Sequence, residues 1–442
     1  MMTSYVPMPA NPNFYLGLIL FAVGALIGCF VFLGTLVVAK DEKTYEGSIP
    51  LVTFGALTAC IIAVFTIASG AIVLIPTYLW SLGFINNIDA AMYRIVWWAL
   101  GHSSQQINVA AHVAVWYAIA AIVFGARPLS EKVSRVAFFL YIAFLQLASA
   151  HHLLVDPGLS AEWKIFNTSY AMYLAVLASM VHGLTVPGSI EVAQRAKGLT
   201  NGLFEWLRKA PWGNPIFSGM FISLIGFGFI GGISGVVMGT EQINIIIHNT
   251  IYVPGHFHAT VVVGSTLAFM SLTYFLIPTL FRKQVAFQGL AKWQPYLFGI
   301  GMSSFTLAMM GAGTLGVERR HWDMAFTNSA LAFDYPASAY TLMGIMGISG
   351  VVAILGGAIY ILVTVVSVFF GKPVESESSY GFDMSRLMRA DPVVVPEGGH
   401  SAAGKWGFAA PGTFLLAIFF LVIFVLYYAV NWKYLASVWP MS

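Results

Sequence analysis

The chain has 442 residues, of which 58% are hydrophobic and only 9% charged, with a formal net charge of +3 and a mean hydropathy of +0.80. That composition excludes a soluble globular domain and describes a polytopic membrane protein. The small basic excess sits in loops beside apolar runs, so it gives no sign of a nucleic-acid partner; the surrounding partner is the lipid bilayer.

Met1–Asn13 carries no Lys or Arg and no cleavage pattern, so no signal peptide is expected. Ten apolar runs are long enough to span a bilayer: about 14–39, 50–79, 90–124, 134–154, 163–186, 215–238, 253–280, 294–315, 337–370 and 412–431. The predicted fold is therefore all-α, a single transmembrane bundle of about ten helices. The third and ninth runs are long enough to tilt or to project past the bilayer. Cys29 and Cys60 both lie inside apolar runs, and the chain has no Cys-x-x-Cys and no Cys-x-x-Cys-His. Thiolate copper and c-type haem are thus not expected here. Residues 371–411 form the only long polar loop, expected in the cytoplasm against a partner.

Charge sets the orientation. Sixteen of the 21 Lys and Arg fall in alternate loops, among them Lys40, Arg127, Arg195, Arg208, Lys283, Lys372 and Arg389. The positive-inside rule puts those loops in the cytoplasm and both termini outside, as an even number of helices requires. The expected location is a prokaryotic plasma membrane.

With that orientation, His102, His151, His152, His256 and His258 all fall in the outer half of the membrane. Imidazoles at that depth are costly and usually functional. His256 and His258 are two apart, so on a helix they point roughly 200° apart and can serve two different metal centres. The bland reading is a pair of polar residues snorkelling at a helix end. His151-His152 point about 100° apart, and His102 would complete a three-imidazole site suited to copper or iron. Such a site leaves an open position for a small substrate. Arg319-Arg320 lies in an outer loop, against the charge bias. Its guanidiniums match planar carboxylates such as haem propionates, or else lipid headgroups.

Together, Gly101-His102, His151-His152 with Asp156-Pro157-Gly158, Trp163-Lys164, His248-Asn249-Thr250, Val253-Pro254-Gly255-His256-Phe257-His258 and Arg319-Arg320 resemble subunit I of the haem–copper oxidase superfamily. The Asp-Pro-Gly and His-Asn-Thr elements look most like its B-type oxygen reductases. The resemblance covers about residues 90–340. It implies copper B (or iron) on His102, His151 and His152, and a high-spin haem on His256. It also implies a low-spin haem with His258 as one axial ligand, and propionates on Arg319 and Arg320 with His248 near them.

Two departures shape the expected function. Oxygen reductases of the A and B branches carry a Tyr four residues after the copper-ligand His; here that position is Gln106. That Tyr supplies an electron and a proton for cleaving dioxygen, which an amide cannot do. Another branch places its Tyr about two turns before the His pair, where this chain reads Ala143-Phe144-Leu145-Gln146-Leu147; Tyr141 is about 15 Å away by helical rise. Coupling two nitric oxide molecules needs only two electrons. The expected activity is therefore nitric oxide reduction to nitrous oxide, with Gln105 or Gln106 hydrogen-bonding a hyponitrite-like intermediate. The alternatives are a cytochrome c or quinol oxidase, and a channel with structural histidines.

The second departure is at the N-terminal side. Family members have about five helices before the one bearing His102, and the second carries the other low-spin haem ligand; this chain has two, so it is expected to lack the first three. A second membrane subunit of about three helices would then supply the missing His. A cupredoxin or cytochrome c type subunit would supply electrons. Tyr117 and Thr168 are candidates for a proton route, or plain helix-packing hydroxyls. Asn244 stands where the B-type pattern has an Asp.

Overall fold

The computed structural model describes residues 7–44, 47–145, 147–320, 334–375 and 409–438. These are helical and connecting segments, with only two isolated β-bridges among them, so the all-α expectation holds. Gln146, His321, His400 and most of the 371–411 loop lie outside the described residues.

Nine helices among the described residues are long and apolar enough to cross a membrane. They are the expected runs with one exception, the fourth. Residues 134–154 do not form one continuous helix. Helix α4 (Glu131–Leu140) passes into a π-helical turn at Tyr141–Leu145 and then into a 3-10 segment at Ala148–Leu153. The physical reason lies in its backbone partners. The Asn167 amide, from the next run, donates to Leu147 O, and the His151 ring bonds Ala148 O, three residues back. Both carbonyls are diverted from an ordinary helical ladder, and the tighter 3-10 winding accommodates this.

The chain divides into two compact units. The first comprises residues 1–114 and 132–179. In it α1 (Pro12–Asp41) pairs with α2 (Leu51–Ser81), and α3 (Ala90–Phe124) contributes residues up to 114. Asn11 caps α1 by accepting from Asn13 N, with Pro12 at the first helical position. Helix α1 is apolar all round and buries only Tyr15, which suits a surface against lipid or further helices. The chain re-enters after the 3-10 segment at α5 (Ala161–Ile165), capped by Ser160, and winds through a π turn (Phe166–Ala171) into α6 (Met172–Ala196).

The second unit comprises residues 115–131 and 180–442. It holds α7 (Glu205–Arg208), α8 (Pro215–Ile225), α9 (Ile233–Met238), α10 (Glu241–Ile247), α11 (Tyr252–Phe257), α12 (Leu267–Leu280), α13 (Gln288–Thr314), α14 (Ala337–Phe370) and α15 (Pro411–Val438). Between α8 and α9 runs a π segment, Gly226–Gly232, and between α11 and α12 another, His258–Thr266. The two pack face to face, and glycine makes this possible. A Cβ on Gly231 would sit 2.8 Å from Thr260 Cγ2, and one on Gly264 would sit 2.9 Å from a Phe227 ring carbon. Small residues let rewound backbones approach closely where no water can satisfy them.

Glu191 on α6 is wholly buried and anchors the start of α15. Its carboxylate accepts from Gly412 N (3.0 Å), Thr413 N (2.6 Å) and the Thr413 hydroxyl (2.8 Å), and pairs with Arg195 Nε at 2.7 Å. A carboxylate at a helix N-terminus satisfies orphan backbone donors and suits the helix dipole. Glu191→Ala leaves a buried guanidinium without its carboxylate and should cost about 3 kcal/mol. The thermal midpoint of the detergent-solubilised protein should fall clearly; an unchanged midpoint would refute this role.

Candidate metal and haem site

Three buried imidazoles converge in the first unit. His102 comes from the middle of α3, and His151 and His152 from the 3-10 segment. One nitrogen of each lies within 4.8 Å of the others. His102 Nδ1 is 3.2 Å from His152 Nε2, and the His151 and His152 ring centroids are 4.2 Å apart. On a 3-10 helix neighbours point about 120° apart, and here the two rings are tilted 35° to each other. His151 spends Nδ1 on Ala148 O, so its lone-pair nitrogen is Nε2.

Around the cluster stand further residues, of which hydropathy and motif reading missed Trp98 and Arg94. Trp98, one turn before His102, stacks on His152 with centroids 3.8 Å apart and planes 6° apart. Arg94 at the start of α3 makes a two-pronged ion pair with Asp156, through Nε to Oδ2 and through Nη2 to Oδ1 at 3.0 Å. This pair ties the start of α3 to the turn after the His pair, and so brackets all three imidazoles. The four-residue spacing of Trp98 to His102 was the only sequence signal for the former. The Gln106 amide lies 2.7 Å from His102 Nε2. Gln105 is half-buried and points about 100° round the helix from it.

The donor set fits a transition-metal cation. Three neutral imidazoles in an apolar interior cannot all satisfy their lone pairs on one another, and an all-imidazole set suits copper, iron or zinc.

His256 and His258 lie in the second unit, on either side of the junction between α11 and its π segment. The His256 Nδ1 is 3.0 Å from Ser234 Oγ. The Ser234 hydroxyl proton goes back to its own helix, to Ile230 O or Gly231 O, so Oγ accepts from His256. His258 Nδ1 donates to Pro254 O at 2.6 Å. Both rings therefore present Nε2 as the lone-pair nitrogen, as an axial haem ligand does. Their different partners hold them on different faces of one segment.

A third group gathers at the start of α11. Ile251 N donates to Val317 O (2.8 Å), Thr250 and Glu318 form an antiparallel bridge, and Arg319 binds Asn249 through both backbone and side chain at 3.0 Å. Asn249 takes a left-handed φ of 61° to make this turn. His248 Nδ1 bonds Asn244 Oδ1 at 3.1 Å, while the Asn244 amide donates to Met238 O. Arg320 is exposed and also left-handed, with φ 74°. His248, Arg319 and Arg320 are thus carried on two loops zipped together.

Of the proton-route candidates, Tyr117 is buried with its hydroxyl 2.9 Å from His182 Nδ1. Thr168 donates to Lys164 O on its own helix, the packing alternative foreseen for it.

Gly235 sits against His256, and a Cβ there would lie 2.9 Å from the ring's Cε1. Gly235→Ala should therefore displace this imidazole from Ser234 and lower the thermal midpoint of the detergent-solubilised protein; an unchanged midpoint would refute the close fit.

The family described as Cytochrome C and Quinol oxidase polypeptide I matches residues 1–359. Cytochrome c oxidase subunit 1 of Thermus thermophilus is 30% identical over 325 residues, 72% of this chain and 56% of that one. The proteins of the same name from Synechocystis and Eremothecium gossypii are 24% and 23% identical, over 72% and 73% of this chain and 56% and 58% of theirs. The chain therefore spans little more than half the length of these relatives. A cryo-EM structure of a heme-copper terminal oxidase dimer superposes with a TM-score of 0.78 at 27% identity, covering 96% of this chain and 73% of that one.

Proposed function

Because the chain belongs to the cytochrome c and quinol oxidase polypeptide I family, we propose that it is the catalytic subunit of a membrane-bound haem–copper reductase. His102, His151 and His152 hold copper, or iron, and His256 and His258 each ligate a haem, the first high-spin and the second low-spin. Arg319, Arg320 and His248 bind propionates. When bound, the metals supply electrons and an open position for a diatomic gas. The chain's own residues orient the imidazoles and exclude water from them, and Tyr117 with His182 provides one buried link at which a proton can be held.

Nitric oxide is the substrate this site favours, and Gln106 carries that reading. Its amide contacts His102 where dioxygen chemistry would call for a phenol able to give an electron and a proton. The second reading is dioxygen reduction. The relatives' names back it better than they back the first, since all three are cytochrome c oxidase subunits. Side-by-side turnover of the purified complex with each gas separates the two. Nitric oxide turnover is expected to be the faster, and faster dioxygen turnover would reverse the order. In either case His256→Ala should lose the high-spin haem; retention of that haem would remove His256 as its ligand, and a complex without haem would return the channel alternative.

A low-spin haem needs a second strong axial ligand beside His258. A partner in the membrane complex supplies it as His, and a cupredoxin or cytochrome c type subunit delivers electrons, since Cys29 and Cys60 form no Cys-x-x-Cys or Cys-x-x-Cys-His motif. Expressed alone, the chain should show no bis-histidine spectrum. A full low-spin spectrum from the isolated chain would rule out the shared haem.

A further inference from the structure

We propose that the cleft between α8 and α13 binds one acyl chain of an anionic phospholipid, with Lys292 at its mouth holding the phosphate. This needs only the membrane setting of the helices; neither the metal cluster nor the substrate gas bears on it.

The cleft lies within the second unit and has a volume of about 420 Å³. Its walls include Trp212, Phe221, Ile225, Phe229, Ile230 and, from α13, Ser303. Trp212 donates its indole N–H to Leu207 O, so the Ser303 hydroxyl is the only polar side-chain group the cleft offers. Room is left where the smallest residues of the lining meet: a Cβ on Gly226 would stand 3.6 Å from Ser303 Oγ. In a membrane such an apolar recess is filled by hydrocarbon, because walls without a partner forfeit their dispersion contacts.

Depth decides what kind of hydrocarbon. Phe221 and Ile230 are nine residues apart. That is about 14 Å at helical rise, close to half of a hydrocarbon core of about 30 Å. The cleft thus has the reach of a chain from a single leaflet. It also opens toward lipid. Ile225 is exposed, and α13 turns out an apolar stripe of Trp293, Ile300 and Leu307, spaced seven apart.

The mouth decides the headgroup. Trp212 is fixed there by the Tyr296 hydroxyl, which donates to Trp212 O at 2.7 Å, and the Trp293 and Tyr296 ring centroids are 5.9 Å apart. Aromatic side chains gathered in this way mark the headgroup level. Lys292 Nζ lies 3.8 Å from where a Cβ on Gly213 would stand, next to Trp212. Residues 197–217 and 281–300, which flank this end, hold six Lys or Arg and one acid, Glu205. That acid already pairs with Lys209 at 2.8 Å. A phosphate there meets an excess of positive charge. An isoprenoid quinone is uncharged and needs hydrogen-bond partners for two carbonyls, and the cleft would give it only Ser303.

The test uses the intact complex in phosphatidylcholine vesicles. The probe is a trace of phosphatidylglycerol with a photoactivated diazirine midway along one chain; a matched phosphatidylcholine carries the same group. Labelled peptides are mapped by mass spectrometry, and the exposed Ile348 and Ile354 of α14 report ordinary contact with the bilayer. The phosphatidylglycerol probe should label residues 221–230 in excess over α14, and the phosphatidylcholine probe should not. Lys292→Gln should lower that excess about fivefold, the effect of removing one basic residue near an anionic headgroup. Ser303→Phe fills the cleft and should abolish the excess. Lys292 is exposed, so its variant decides the matter even where the Phe variant fails to fold. Equal labelling by the two probes, or an excess that survives Lys292→Gln undiminished, would overturn the proposal. So would displacement of the phosphatidylglycerol label by a short-chain quinone, which would assign the cleft to a quinone instead.

Discussion

Burying an imidazole in a membrane interior commits both of its nitrogens. One carries a proton that must be donated, the other a lone pair that must be filled, and no water is at hand to do either. His151, His256 and His258 meet the first requirement with groups close by in sequence or on a packed neighbour: Ala148 O, Ser234 Oγ and Pro254 O. The second requirement is left to whatever the rings face. Much of the surrounding architecture holds these rings in fixed orientations. The Arg94–Asp156 pair and the Trp98 stack do this for the three-imidazole cluster, and Gly235 does it for His256 by leaving room for the ring.

The backbone adapts in the same places. The His pair rides a 3-10 segment that follows a π turn, and His258 opens a π segment packed on a second one. An unbroken α-helix would fix the directions of successive side chains at 100° steps. Rewinding the chain releases them from that constraint, at the cost of weaker backbone hydrogen bonds. Glycines at 226, 231 and 264 let these irregular stretches lie close enough to cover one another.

Sequence reading located the spans, the three-imidazole cluster and the His-x-His pair because each rests on something a single residue type declares. Apolar runs are additive along the chain, and histidines at membrane depth are rare enough to be conspicuous. It failed where meaning depended on register or on a distant partner. The 134–154 run scores as a span because hydropathy sums side chains and is blind to the hydrogen-bond ladder, so the break before His151 left no trace. Arg94 carries no local signal of its role because its partner, Asp156, is 62 residues away. Ser234 and Gly235 looked like ordinary small residues of a membrane helix, since nothing local marks them as the wall behind His256. Gln106 was noticed as the wrong residue for a phenol's work, but the nitrogen it touches became visible only in three dimensions.

The Glu191 anchor bears on how the chain is made. Residue 191 leaves the ribosome more than 200 residues before Gly412 and Thr413, whose N–H groups will eventually surround its carboxylate. For that whole interval α6 must exist in or near the bilayer with an acidic group and none of its final backbone donors. Arg195 is one helical turn further on, so its ion pair with Glu191 forms as soon as this helix winds and needs nothing yet unsynthesised. The carboxylate is thus already escorted at the end of its helix, and the arrival of α15 completes its solvation without having to rescue it.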